Sequence, residues 1–222
     1  MRIRAQIELR PLLLLSLLVC TMCTAAAQPA AGPTLSYRKV FKESSPEFLE
    51  IKIQENGSGS IDLRQLDDEA DPEPFEVTPQ LAARMFELAA QLDYFRNAQL
   101  DVRRRIANLG EKTFRYEGGG KAYETTFNYT VNPAAQQLTQ IFEGLARQHE
   151  HITTLNRRMR YDRLGVNEAL LKFEMDLNRR IIPEPERLLP TLETIANDAR
   201  VVDIARHRAR MLVERIRNAR PS

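Results

Sequence analysis

Apolar and polar residues alternate along the first half of the chain in a pattern that predicts strands. In FLEIKIQE, Leu49, Ile51 and Ile53 alternate with polar residues, and a period of two residues is typical of a strand with one buried face. The preceding YRKVFKES alternates in the same way. Asn56-Gly57 favours a tight turn, after which IDLRQL is predicted to return as a neighbouring strand.

A second hairpin is predicted further along, from KTFRYE to AYETTFNYT. Aromatic residues and threonine are enriched in strands, and Gly118-Gly119-Gly120 supplies the turn. The GGGK sequence also resembles part of a phosphate-binding loop, but such a loop needs a helix after the lysine. Because a strand is predicted after Lys121, the expected structure is a hairpin tip.

Two helices start with the same local signal, a capping residue followed by proline. Thr78-Pro79 opens a helix predicted to run to about Leu92. Asn132-Pro133 opens a second helix, for which the apolar spacing predicts roughly two dozen residues.

The segments around the first helix are less regular. The acidic DDEADPEP segment, residues 67–74, is predicted to be a surface loop. Residues 93–109 are ambiguous and are compatible with a short helix that ends at Gly110.

The last third of the chain is predicted to be helical throughout, because apolar residues recur three and four positions apart. Pro183 and Pro185 separate two helices, and Pro190 is expected either to kink the next helix or to start it. The apolar faces are formed by Ala169, Leu170, Phe173 and Leu177 in one helix and by Val201, Ile204, Ala205, Leu212, Val213 and Ile216 in the last.

These elements predict an α+β fold: an antiparallel sheet of two hairpins with packed helices, followed by an all-helical C-terminal module. We assign residues 35–149 to the α+β domain and residues 150–222 to the helical module. Residues 28–34 are rich in Ala, Pro and Gly and are predicted to form a flexible mature N-terminus.

The first 27 residues have the three parts of a secretory signal peptide: a basic head, a short apolar run and a small-residue cleavage site. The apolar run is shorter than the roughly 20 residues of a membrane span. We therefore predict cleavage after Ala27 and a periplasmic or secreted protein. A lipoprotein modified at Cys20 or Cys23 and an uncleaved signal anchor are the alternatives. Cleavage would remove both cysteines, so that no disulfide could stabilise the mature protein.

Processing also changes the charge. The full chain has 32 basic and 30 acidic residues, whereas the chain from Gln28 has 29 of each. Residues 28–149 carry four more acidic than basic groups, and residues 150–222 carry four more basic than acidic groups. We expect the basic C-terminal helix, which is rich in arginine, to present a solvated face and to dock partly on the acidic front. A neutral exported protein is not expected to bind nucleic acid.

Candidate catalytic and metal-binding residues are few. The chain has three histidines, His149, His151 and His207. Histidines two positions apart on a helix point about 200° apart, whereas zinc-binding helices place them four apart, so solvated helix residues are expected. The cluster Asp67, Asp68, Glu69 and Asp71 lacks the alternating ligand order of a calcium loop. We therefore predict no catalytic, cofactor-binding or metal-binding residue.

In its element order, the segment 35–149 resembles the emfourin-type domains of bacterial exported proteins. The similarity consists of a hairpin with a glycine turn, a helix that starts at Thr-Pro and a second hairpin, and it covers about half of the chain. Emfourins inhibit metalloproteases, so the resemblance implies a protease inhibitor, although no inhibitory residue can be matched here.

The function expected from the sequence is a non-catalytic binding or structural module of the bacterial cell envelope. The preference for Arg over Lys is typical of a GC-rich bacterial genome. A protein partner could bind at the aromatic hairpin, a sheet edge or the helices, and no membrane span is expected after signal removal. The alternatives are a hydrolase that uses carboxylates with His149 or His207, and the protease inhibitor.

Overall fold

The computed structural model describes residues 32–42, 44–102 and 104–219. The predicted signal peptide, its cleavage site and both cysteines lie outside these residues. No helix in the described part of the chain is long and apolar enough to cross a bilayer. The strands are β1 (Thr34–Val40), β2 (Phe48–Gln54), β3 (Ser58–Arg64), β4 (Glu73–Glu76), β5 (Glu111–Gly118) and β6 (Lys121–Phe127); the helices are α1 (Pro79–Gln91), α2 (Pro133–Tyr161), α3 (Val166–Asn178), α4 (Leu189–Asn197) and α5 (Asp203–Asn218).

The strands form one antiparallel sheet in the order β4-β3-β2-β1-β5-β6, which confirms the α+β fold. β1 lies in the centre, where it pairs with β2 and with β5. The two predicted hairpins therefore belong to the same six-stranded sheet. Glu73–Glu76 adds the short edge strand β4, so the end of the predicted acidic loop is in fact a strand.

One face of the sheet is covered by helices, and the other is open and polar. Ile61, Ile51, Tyr37 and Phe114 stand side by side in adjacent strands. The Tyr37 ring stacks on Phe142 of α2 with centroids 5.1 Å apart, so α2 covers this face. Residues at the intervening positions point to the open face, because successive side chains of a strand alternate.

The covered face is built around aromatic rings. Phe114 is fully buried, and its ring lies 5.2 Å from those of Phe95 and Phe127 and 5.5 Å from that of Tyr37. Rings at these separations attract one another in addition to burying apolar area. Phe114 is therefore the centre of the first hydrophobic core.

Residues 93–109 do not form the short helix that the sequence allowed. Instead α1 is followed by a tight turn at Asp93–Phe95, in which Asp93, Tyr94 and Phe95 all have positive φ. Left-handed backbone costs a residue with a side chain roughly 1–2 kcal/mol. Burial of the Phe95 ring against Phe114 offsets this cost, and such a tertiary contact cannot be read from local sequence.

The helical part has its own hydrophobic core, which is mainly aliphatic. Phe173 is the one aromatic residue among its buried members in the described chain, and the rest are chiefly Leu, Ile, Val and Ala. The 29-residue helix α2 belongs to both cores: its first half packs on the sheet, and Leu155 in its second half packs against α3–α5. Because α2 runs from Pro133 to Tyr161, the predicted boundary at residue 149 falls within a continuous helix.

A polar joint links the two cores. At Gly144 of α2 a Cβ atom would lie 2.4 Å from the Ile181 carbonyl oxygen, so only glycine allows the segment before α4 to pack this closely. The Glu184 backbone N–H donates to the buried Gln148 amide at 2.9 Å. The Glu184 carboxylate in turn accepts a 2.7 Å hydrogen bond from the backbone N–H of Thr78, the capping residue of α1.

Candidate functional site

A polar cleft lies between the β3–β4 edge of the sheet and the second half of α2. Its volume is about 570 Å³. Carboxylates dominate its charged lining, which also contains one histidine and two arginines: Asp62, Arg64, Asp68, Asp71, Glu73, His149, Glu150 and Arg157. A hydrolase site that uses carboxylates with His149 is one alternative predicted from the sequence, and the structure brings these residue types together.

His149 has two partners on β4. Its Nε2 atom lies 3.4 Å from a carboxylate oxygen of Glu73, and its ring meets the edge of Phe75 with centroids 6.1 Å apart. Burial lowers the pKa of His149, and the nearby Glu73 carboxylate opposes this shift. The imidazole is therefore neutral near pH 7 and able to accept a proton.

Glu150, the next residue of α2, also lines the cleft. Burial raises its pKa, Arg147 opposes the shift and Asp176 reinforces it. The cleft thus combines a histidine that is hard to protonate with a carboxyl group that is hard to ionise. Such pairs of perturbed groups occur at catalytic sites, although structural ion-pair networks also produce them.

His151 points away from the cleft, as its spacing from His149 requires. It is only 8% exposed, its Nε2 atom lies 2.9 Å from an Asp176 carboxylate oxygen of α3, and its ring meets Phe173 edge-on. The expectation of solvated histidines is therefore wrong for His151 and for the largely covered His149. The second half of α2 packs against strands on one side and against α3 on the other.

The other histidine and the acidic cluster considered in the sequence do not come together. His207 is exposed on α5. Asp67, Asp68, Glu69 and Asp71 stay in the exposed loop before β4, where one Asp68 carboxylate oxygen accepts a hydrogen bond from the Gln65 backbone N–H. Within residues 32–42, 44–102 and 104–219, no three His, Cys, Asp or Glu side chains are grouped closely enough to hold a metal ion.

A second polar cluster lies at the end of the sheet under α2. It was not predicted from the sequence. One Glu143 carboxylate oxygen accepts hydrogen bonds from the Tyr37 hydroxyl at 2.9 Å and from the Lys39 ammonium at 2.8 Å. Burial and the adjacent Glu143 charge raise the pKa of Tyr37. In the segment YRKV, Tyr37 and Lys39 are two positions apart and therefore lie on the same face of β1. This alternation indicates in the sequence that Lys39 faces the helices, as Tyr37 does.

The neighbouring Lys112 is itself buried. Its ammonium donates hydrogen bonds to the backbone carbonyls of Leu109, Gly110 and Asn128 at 2.9–3.1 Å, which uses all three of its protons. Burial and the nearby Lys39 lower the pKa of Lys112. Because all three protons of its ammonium are used, Lys112 has a structural role: it holds the loop before β5 against the end of β6.

The C-terminal arginines find their partners within the helical part and not on the acidic front. Arg208 bonds Glu174, Arg206 bonds Asp203, and Arg217 bonds Glu193 at 2.6 Å. Arg200 makes a bidentate contact with Asp198. The expected docking on the acidic front is therefore wrong, because acidic residues of the same helices and loops lie closer.

Exposed apolar side chains are concentrated in the helical part. Eight of the eleven large apolar residues that are exposed in the described chain lie at or after Tyr161. Four of them project from two packed helices: Leu171 and Met175 from α3, and Ile204 and Met211 from α5. We call these four residues the α3–α5 surface. Ile204 was predicted to join the core, so its 61% exposure is a correction.

Arg208 connects the two halves of this surface. On α5 it lies four residues after Ile204, and on α3 it contacts both Asn167 and Glu174, the positions that flank Leu171 on the same helix face. Exposed apolar side chains of both helices therefore flank the Arg208–Glu174 pair along the helix axes.

Comparison with known proteins adds no assignment: no family model matches the chain, and no curated protein is significantly similar to it.

Proposed function

We propose that the protein is exported, processed after Ala27 and acts as a non-catalytic binding module of the bacterial cell envelope. The observation that carries the proposal is the α3–α5 surface. Clustered exposed apolar side chains commonly mark sites of interaction. The contrast within the molecule supports this proposal, because the open face of the sheet is polar and ion-paired, whereas large apolar side chains are exposed on the helices.

The partner that best fits is a protein, because the Arg208–Glu174 pair offers both charges inside an apolar patch. A photo-crosslinking amino acid placed at Met211 in the native host should give a discrete adduct. The same amino acid at Lys121, on the exposed tip of the second hairpin, is the matched control. Ile204→Asp should abolish the Met211 adduct. Equal labelling at the two positions, or none at Met211, would contradict the proposal.

Export is tested separately by isolating the native product and sequencing its N-terminus. We expect Gln28 as the first residue and recovery from the periplasm or medium. A product that retains Met1 in the cytosol would contradict the processing step. A lipid-modified Cys20 or Cys23 would instead support the lipoprotein alternative.

The cleft favours a hydrolase as the second candidate function. Its specific support is the 3.4 Å contact between His149 and Glu73 beside Glu150. If the site is catalytic, hydrolysis of a panel of ester, peptide and glycoside substrates should be detectable and should fall at least about 100-fold in both His149→Gln and Glu150→Gln. His207→Gln, on an exposed part of α5, is the matched control. The inhibitor role implied by the emfourin resemblance stays a prediction.

A further inference from the structure

The two most exposed large apolar side chains of the described residues lie together at one corner of the helical part. Tyr161, the last residue of α2, is 81% exposed, and Leu164, in the short turn between α2 and α3, is 80% exposed. Neither side chain belongs to a hydrophobic core. Their exposure is separate from the α3–α5 surface, which is formed by later residues of the helices.

The same corner carries an excess of positive charge. The nine residues from Asn156 to Leu164 contain four arginines and one aspartate. Arg157 lies one helical turn before Tyr161, and Arg160 immediately precedes it; both arginines are exposed. Among the described contacts, no hydrogen bond or ion pair engages either of them, whereas Arg158 on another face of α2 pairs with Asp162. We call Arg157, Arg160, Tyr161 and Leu164 the α2–α3 corner.

We propose that the α2–α3 corner docks the protein peripherally on an anionic lipid bilayer. Tyrosine suits the boundary between headgroups and acyl chains, because one end of its ring is apolar and the other is polar. Leu164 would enter the acyl region, while Arg157 and Arg160 would contact lipid phosphates. Arginine also keeps its charge in the headgroup layer when its stem is buried.

The charge of the corner is what distinguishes a bilayer from a protein partner. At the α3–α5 surface the central arginine is neutralised by Glu174. Arg160 forms no ion pair among the described contacts, and Arg157 lines the cleft without an ion pair to its carboxylates. A segment with four arginines and one aspartate beside exposed apolar side chains matches the combination of negative surface potential and hydrocarbon that an anionic membrane offers.

The test is sedimentation of the chain from Gln28, which contains every described residue, with vesicles. We expect binding to vesicles of phosphatidylglycerol mixed with phosphatidylcholine, and weak binding to phosphatidylcholine alone. R157Q/R160Q should weaken binding about 25-fold, since each surface arginine contributes about fivefold. Y161S/L164S should weaken it about tenfold or more through lost apolar burial.

Two matched variants provide the controls. R104Q/R105Q removes two exposed arginines of the loop before β5, and V131S removes an apolar side chain that is 61% exposed; neither should change vesicle binding. All variants should keep the wild-type unfolding midpoint, because the altered side chains are exposed.

Three outcomes would overturn the proposal. The first is absence of binding to anionic vesicles. The second is unchanged binding by either corner variant. The third is equally tight binding to soluble polyglutamate that needs the arginines but not Tyr161 or Leu164, which would assign the corner to an acidic protein.

Discussion

The sheet half and the helical half of this protein are stabilised in different ways. The first core is rich in aromatic rings that contact one another around Phe114, and its strands are joined by hydrogen bonds between distant parts of the chain. The second core is aliphatic, with Phe173 as its aromatic member in the described chain. Its helices complete their backbone hydrogen bonds locally, so they are held to one another by side-chain packing and by side-chain contacts such as Arg208–Glu174 and Arg217–Glu193.

The solvent-exposed surfaces of the sheet half and the helical half also differ. On the open face of the sheet, charged side chains neutralise one another, as Arg115 does with Glu117 and Glu124. The helical half pairs most of its C-terminal arginines but leaves apolar side chains in water. One face of a sheet can be exposed to solvent without the loss of any backbone hydrogen bond. The exposed parts of apolar side chains on packed helices, in contrast, do not contribute to the free energy of folding. Both surfaces that we propose for binding therefore lie on the helical half.

The largest expected effect is the loss of an aromatic ring from either core. Phe114→Ala and Phe173→Ala should each lower the free energy of unfolding by about 3–5 kcal/mol, and Phe114→Ala should cost more because its ring contacts several other rings. Urea unfolding followed by circular dichroism gives the values. Since α2 belongs to both cores, each variant should unfold in one transition; separate sheet and helix transitions would show that the cores are independent.

A smaller effect is expected at the joint between the cores. Gly→Ala within a helix ordinarily stabilises by about 1 kcal/mol. Gly144→Ala should instead destabilise by about 1–3 kcal/mol, because the new Cβ would collide with the Ile181 carbonyl. Ala135→Gly, in the first turns of the same helix, controls for helix propensity. A stabilising Gly144→Ala would mean that the close approach of the two segments is not maintained in solution.

The pH dependence of stability tests the same comparison, because the buried His151 and the largely covered His149 both lie in α2, the helix that belongs to both cores. Burial lowers the pKa of His149 and of His151, with Glu73 facing the first, and Asp176 and Arg147 facing the second. The unfolded chain, with a histidine pKa near 6.5, then binds more protons than the folded one as the pH falls below that value. Stability should be full above about pH 6.5 and should decline as the pH falls toward the folded pKa values.

Thermal or urea unfolding between pH 8 and pH 5 measures this decline. His151→Asn should reduce the slope, whereas His207→Asn, at an exposed position, should leave it unchanged. The raised pKa of Glu150 acts in the opposite direction, because the folded state binds this proton more readily, so stability increases as the pH falls through the raised folded pKa toward 4.5. A flat profile over this range would contradict the assignment of neutral buried histidines.

The smallest effect is expected on the open face of the sheet. Arg115→Gln removes contacts of 2.6 Å and 3.1 Å to Glu117 and Glu124. Exposed ion pairs contribute between about 0 and 1 kcal/mol, so the change in unfolding free energy should not exceed about 1 kcal/mol and should shrink further in 1 M salt. A loss above 2 kcal/mol would show that this face is covered in solution.

The sequence by itself determined the elements whose signals are local. The Asn56-Gly57 turn, the capped starts at Thr78 and Asn132 and the glycine tip of the second hairpin are all where the pattern predicted them. Pro190 starts α4 and does not kink a longer helix. Caps, turns and apolar periodicity act over a few residues, so they can be read without knowing what packs against them.

Only the tertiary structure decided the features that depend on distant partners. These include the pairing of β1 with both β2 and β5, the left-handed turn that buries Phe95, the burial of His151 against Asp176, and the exposure of Ile204. A residue's spacing shows which side of an element it occupies but not whether another element covers that side. The candidate cleft and both proposed interaction surfaces depend on whether another element covers a given side, and for this reason the sequence could not locate them.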